Sequence, residues 1–303
     1  MRISTQAASF AALADLMQSQ RQMFDARQQV STGLRAPDMK GYGHDAERIL
    51  SGRSALTRTD MHVENLKRLD ARLEVQDLAY RELSGAADDL RQALTTNDGT
   101  FMMNQVSDAF QRAKMALSTK FAGSFVFGGT QTDTEPLAAD TLSDLQAAPS
   151  IADMFANSDR RQTAKLDDNT AVEISFLAEE IAGDLMGVFE RVADYDDGPN
   201  GPFDGPLTSV QQTFLQTEIA TVIDAFEQIN QAMGANGALQ ARVENAERAH
   251  ETRRDYLQIM IADIEDADMA EAASRFTQAQ TAVEVSARTF ASLSQVSLLP
   301  FLR

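Results

Sequence analysis

Glycine and proline are absent from residues 1–32, 53–84 and 238–299. A chain with three such uninterrupted blocks has few means of stopping a helix once one has begun. In the first block Phe10, Met17 and Phe24 recur at every seventh position beside a second rail of Leu16, Met23 and Val30, which predicts a helix with one apolar face. Next, Leu66, Leu69, Leu73, Gln76, Tyr80, Leu83, Ala87, Leu90 and Leu94 alternate steps of three and four, the spacing of a coiled-coil seam. Gly85 falls on the outward side of that frame, where it costs about 1 kcal/mol of helix propensity and leaves the seam intact. The turn sequence TTNDGT at 95–100 ends this helix, and Val106, Phe110, Ala113 and Leu117 predict a shorter helix returning against it. Leu215, Ile219, Val222, Phe226, Ile229 and Met233 form a further seam, continued by Leu257, Ile261 and Ile264. The last stretch places Met269, Phe276, Val283 and Phe290 at sevenths, with Ala272, Ala279 and Ser286 between them, so a partner helix can approach closely.

The segment from about 124 to 207 differs in kind. Ala164 and Leu166 before a DDNT turn, with Val172, Ile174 and Phe176 after it, predict a β-hairpin, and Ile181, Leu185, Val188 and Val192 predict a helix. The expected fold is therefore mainly α, a long antiparallel helical bundle or coiled coil formed by the N- and C-terminal segments, with a small β-containing insertion domain. Its expected parts are an N-terminal helix (1–40), the two halves of a helical rod (41–123 and 208–268), the insertion between those halves (124–207) and a C-terminal helix (269–303).

Composition closes off several functions. The absence of cysteine removes disulfides, thiol nucleophiles and thiolate metal sites, and three scattered histidines (His44, His62, His250) offer little for an imidazole site. A net charge of −18 argues against nucleic acid or an anionic membrane surface as partner. That charge is uneven: residues 1–36 and 270–303 together sum to about +3 and the middle to about −21, so the ends can be crowded together with little repulsion. No stretch has the length of a signal-peptide core or a membrane span. Asp194, Asp196, Asp197, Asn200 and Asp204 miss the spacing of a calcium loop and read as an acidic turn. Asp263, Glu265, Asp266, Asp268 and Glu271 crowd one helical stretch with no basic or nucleophilic partner nearby in sequence, and read as a solvated or charge-paired face. GYG at 41–43 and FGGT at 127–130 lack a phosphate loop's spacing and lysine. His62 sits in a seam-like position with no second histidine in register, the pattern of a packed side chain. No enzymatic activity, cofactor or metal is expected.

With these residues in view, the chain resembles the bacterial flagellin family and, within it, the hook-filament junction (hook-associated protein 3) group. The carriers are MRIST at the start, VSTGLRAPD at 30–38, AGSFVFGGTQTDTEPL at 122–137, IEDADMAEA at 264–272 and SLSQVSLLPFL at 292–302. The resemblance implies a structural subunit of the flagellum, exported without a cleavable signal peptide to an extracellular position between hook and filament. It implies as partners other copies of the chain, hook-associated protein 1, flagellin, an export chaperone and the type III export apparatus, with no nucleic acid and no membrane. It also implies an assembly region matching Ile3, Phe10, Leu13, Met17, Phe24 and Val30 at one end. At the other end the matching residues are Phe276, Val283, Phe290, Leu293, Leu298, Leu299, Phe301 and Leu302. Flagellin itself shares IEDAD and remains the alternative, followed by a soluble coiled-coil adaptor.

Overall fold

The computed structural model describes residues 2–174 and 176–298, with side chains from 7 through 293 apart from Ser175. The fold is mainly α, as the periodicities predict. In chain order it runs α1 (Arg2–Thr32), α2 (Ala46–Thr95), α3 (Met102–Leu117), β1 (Lys120–Phe121), β2 (Ser124–Phe125), α4 (Leu142–Ala147), β3 (Thr163–Lys165), β4 (Ala171–Glu173), α5 (Ala178–Asp196), α6 (Ser209–Glu265) and α7 (Met269–Leu298). These elements divide into two compact units, a terminal one (Met1–Asp60 with Thr252–Arg303) and a central one (Met61–Glu251).

In the terminal unit α1 packs along α7. The pair is antiparallel: the amide of Ala267 donates to the carbonyl of Gly33 at 2.8 Å, while residues from Gln22 to Gln29 face those from Arg275 to Ala282 across a groove of about 410 Å³. The connection after α1 turns at Gly33, whose φ of +72° favours glycine, and then makes a 3-10 turn over Met39–Asp45. Ala36, Tyr42, Ile49 and Ile264 form a small apolar cluster under it. Gly52 marks a close approach of α2 to α6, since a Cβ there would stand 3.0 Å from Met260 Cε and 3.1 Å from Ile261 Cγ1.

The central unit holds the main core, built from α2, α3, α5 and α6 with Leu145 of α4 and with Phe127 and Leu137 from the connecting segments. Both predicted seams are present. Leu66 through Leu94 line α2, and Leu215, Val222 and Ile229 are buried on α6 with Ile219, Phe226 and Met233 half-buried beside them. The returning helix is α3, with Val106, Phe110, Ala113 and Leu117 fully inside. The hairpin forms as β3 against β4, Ala164 opposite Val172, and the Asp167 carboxylate accepts from the amides of Asn169 and Thr170 at 2.7 Å to hold its turn. A second, shorter ribbon, β1 with β2, turns through Ala122 and Gly123, both at positive φ. Gly85 has a role the heptad frame did not show. The Arg112 guanidinium of α3 lies across it, 2.5 Å from where a Cβ would stand, and reaches Glu82 at 2.9 Å and Asp89 at 2.7 Å on either side.

One carboxylate in this unit is in an adverse place. Burial pushes the Asp70 carboxyl above its ordinary value, and the neighbouring Glu74 and Glu244 carboxylates add to the shift. A folded-state value above the unfolded one means that stability falls as pH rises from the ordinary aspartate range through the raised value, and stays lower above it. Asp70→Asn should therefore raise the thermal midpoint by about 1–2 °C near neutral pH. The difference from wild type should vanish in scans taken below the ordinary carboxylate range.

Candidate assembly surface

The seam of α1 is its second rail. Ala12 and Ala26 are buried, and Leu16, Ser19, Met23 and Val30 are half-buried, all in steps of three and four. The corresponding line on α7 is Ala272, Phe276, Ala279, Val283, Ser286, Phe290 and Leu293, with the two alanines buried and the rest half-buried. Small residues between large ones let the two backbones come close, which is why the pair forms at these positions.

Phe10, Leu13, Met17 and Phe24 lie elsewhere. They are 71%, 37%, 57% and 64% exposed, on a flank of α1 about a third of a turn from the seam. The predicted assembly residues thus separate into two groups. Val30, Phe276, Val283, Phe290 and Leu293 are engaged within the pair, whereas Phe10, Leu13, Met17 and Phe24 form an apolar stripe with no partner among the described residues. The side chains of Ile3 and Leu298, and Leu299, Phe301 and Leu302 entirely, lie outside the described residues. Ala12 and Ala26 belong to the seam but do not stand out in the sequence, because only the large members of a heptad draw notice.

Behind the pair, the two sequence motifs that flank it are fastened together. Leu34 bridges Asp266, and the Arg35 amide donates to the Glu265 carbonyl at 2.7 Å. The Tyr42 hydroxyl donates to the carbonyls of Ala36 at 3.0 Å and Glu265 at 3.4 Å. Glu265 is nearly buried, and its carboxylate meets Arg53 Nη2 at 2.8 Å. Arg35 stacks over the Tyr42 ring and, by hydrogen bonding, holds the Asp45 carboxyl below its usual range. The rest of the acidic run is used locally: Asp268 caps α7 by accepting from the amides of Ala270 and Glu271, and Glu271 pairs with Arg275. The acidic run is thus partly solvated and partly charge-paired, Glu271 with Arg275 one turn on and Glu265 with Arg53 from 212 residues away.

Two further expectations meet the structure here. His62 does have a second histidine beside it: His250 stacks on its ring at 4.9 Å, and both rings reach the hairpin turn, His62 to Asp168 at 3.3 Å and His250 to the Leu166 carbonyl at 3.0 Å. The fold supplies a neighbour that sequence register on one helix does not. In the 194–204 loop, Asp196 accepts from the Phe203 amide at 2.6 Å and Asp197 from Gln146 at 3.0 Å, so these carboxylates brace a turn. Among the described residues no group of three or more histidines and carboxylates is arranged to hold a metal ion, and no helix is long and apolar enough to cross a membrane.

The arrangement defines a class: a helical protein whose chain ends pair with each other and leave an apolar stripe exposed. Residues 219–302 match the bacterial flagellin C-terminal helical region. No curated protein matches the sequence. Among solved structures, the chain is similar to one described as a flagellar hook-associated protein from Vibrio parahaemolyticus. The TM-score is 0.59 at 14% identity, covering 73% of this chain and 97% of that one. It is also similar to FlgL of Bacillus cereus, with a TM-score of 0.52 at 11% identity, covering 70% of this chain and 98% of that one. The chain is thus FlgL-like in fold and of flagellin type in its C-terminal region, as the resemblance of its motifs implies.

Proposed function

We propose that the protein is a structural subunit of the bacterial flagellum that joins hook to filament, assembled through its terminal helices and required for filament attachment and motility. The observation that carries this reading is the exposed stripe of Phe10, Leu13, Met17 and Phe24 on a helix whose other apolar side is already covered by α7. An apolar stripe of this kind on an otherwise acidic chain marks an interaction surface. The flagellin-type C-terminal region and the fold shared with a hook-associated protein support a flagellar assembly as the source of that cover. Its partners are other copies of the chain, hook-associated protein 1 and flagellin. It reaches its extracellular place through the type III export apparatus, escorted by a chaperone that shields the stripe. A structural role of this kind requires no catalytic group.

A strain lacking the protein should make hooks without filaments and shed flagellin into the medium, as seen by electron microscopy and by blotting of culture supernatant. The reading fails if filaments of normal length remain attached. A second reading, filament subunit, is favoured by the flagellin description of the matched region. Purified protein that polymerises alone into long filaments, with absent filaments and no shedding in the deletion strain, would decide for it.

A further inference from the structure

The apolar interior of the central unit is interrupted at one level. On one side of that level lies the main core, whose fully buried members end at Ala79 and Tyr80 on α2 and at Ala232 on α6, with half-buried Val75 and Met233 packed against it. On the other lies a separate cluster of Leu66, Leu69 and Leu73 with Leu239 and Val243, covered by Leu166, Val172 and Ile174 of the hairpin. Gln76 and Asn236, 0% and 1% exposed, occupy the level between. Asn236 Nδ2 donates to the Leu73 carbonyl at 3.0 Å, and Gln76 Nε2 donates to the Tyr80 hydroxyl at 3.3 Å. Gln76 Oε1 and Asn236 Oδ1 are buried without a hydrogen-bond partner. A half-satisfied polar layer weakens the interior where it stands, although the one interhelical bond fixes the register of the pair.

The same level of α6 carries two glycines, Gly234 and Gly237, inside an unbroken helix. Neither has positive φ, and a Cβ built on either meets nothing within 4 Å. Nothing in this conformation requires glycine there: no neighbour approaches closely and no turn is made. Each nonetheless lowers the helix equilibrium by about fivefold relative to alanine. We infer that residues 234–237 of α6, opposite Gln76, form a flexure. The helix pair of residues 61–75 and 237–251, with the hairpin it carries, bends and opens as a unit of its own, separate from the apolar body of residues 79–232. Fraying does not supply the same behaviour, because α2 begins at Ala46 and α6 ends at Glu265, well beyond this segment.

Amide exchange on the full-length chain, read by mass spectrometry, tests the inference. Amides of 62–74 and 238–250 should exchange at least about tenfold faster than those of 83–94 and 218–230. In Gly234→Ala/Gly237→Ala, whose new methyl groups point into open space, exchange of the first set should slow about tenfold and that of the second should not change. In Gln76→Leu/Asn236→Leu, which joins the two apolar clusters, the gap between the sets should close. Equal rates in the wild type would overturn the flexure. So would a gap that survives both variants, or alanines that slow both sets alike.

Discussion

On the proposed function, Phe10→Asp/Phe24→Asp should leave the isolated chain folded and remove it from the flagellum. Both side chains stand in solvent, so aspartate at these positions displaces no packed neighbour, and the thermal midpoint should move by less than about 2 °C. On the proposed assembly surface each of these aromatics would gain roughly 1.5–3 kcal/mol on full burial, and an unpaired carboxylate in the same place would lose that and add a desolvation cost. Summed over neighbouring copies, the change is ample to abolish incorporation. Cells carrying the variant should be non-motile and should secrete the protein, with none in sheared flagella. The comparison variant is Phe290→Asp, at a half-buried seam position. It should lose helical content in far-ultraviolet circular dichroism as well as incorporation, since it first undoes the pairing of α1 with α7. Normal motility in Phe10→Asp/Phe24→Asp would remove the stripe from the assembly surface.

The two rails of α1 look alike in sequence and have different fates. Leu16, Met23 and Val30 alternate with Ala12, Ser19 and Ala26 to make a seam that admits a close helix, whereas Phe10, Met17 and Phe24 run beside the bulkier Leu13, Gln20 and Arg27 and stay outside. Periodicity reveals that a helix has an apolar face, and the distribution of small residues beside it decides which part pairs within the chain. The long helices, the hairpin and the returning α3 were legible because each rests on local repetition of apolar side chains at period 3.5 or 2. The Arg53–Glu265 and His62–His250 contacts were not, because each joins residues about two hundred positions apart, and nothing local in the sequence encodes the antiparallel register that brings them together. Gly85 does lie off the seam, and its contact with Arg112 was hidden for a related reason. Its outward face on α2 is outward only with respect to α6, and α3 covers it with Arg112.

A third long-range pair carries the largest single-site stability effect expected. Glu218 lies on the buried side of α6, in line with buried Leu215, Val222 and Ala225, with its side chain 7% exposed, and Arg191 of α5 grips it through Nε at 3.0 and 3.1 Å and through Nη2 at 2.8 Å. The neighbours along this side of α6 are apolar, so the carboxylate is tolerated there because α5 brings a guanidinium to it. Hydrogen bonding to Glu218 in turn raises the Arg191 guanidinium above its ordinary value, so the cation persists at any physiological pH. Arg191→Leu strands the carboxylate. A fully enclosed charge left this way costs about 3–5 kcal/mol, and because Arg191 is 45% exposed, so that water can enter the vacated space, about 2–3 kcal/mol is expected. Arg191→Leu/Glu218→Leu, which removes both charges and extends the apolar seam, should return to within about 1 kcal/mol of wild type in urea unfolding. Equal losses in the single and double variants would show that the guanidinium stabilises the helices by packing alone, with the charge at Glu218 of no account.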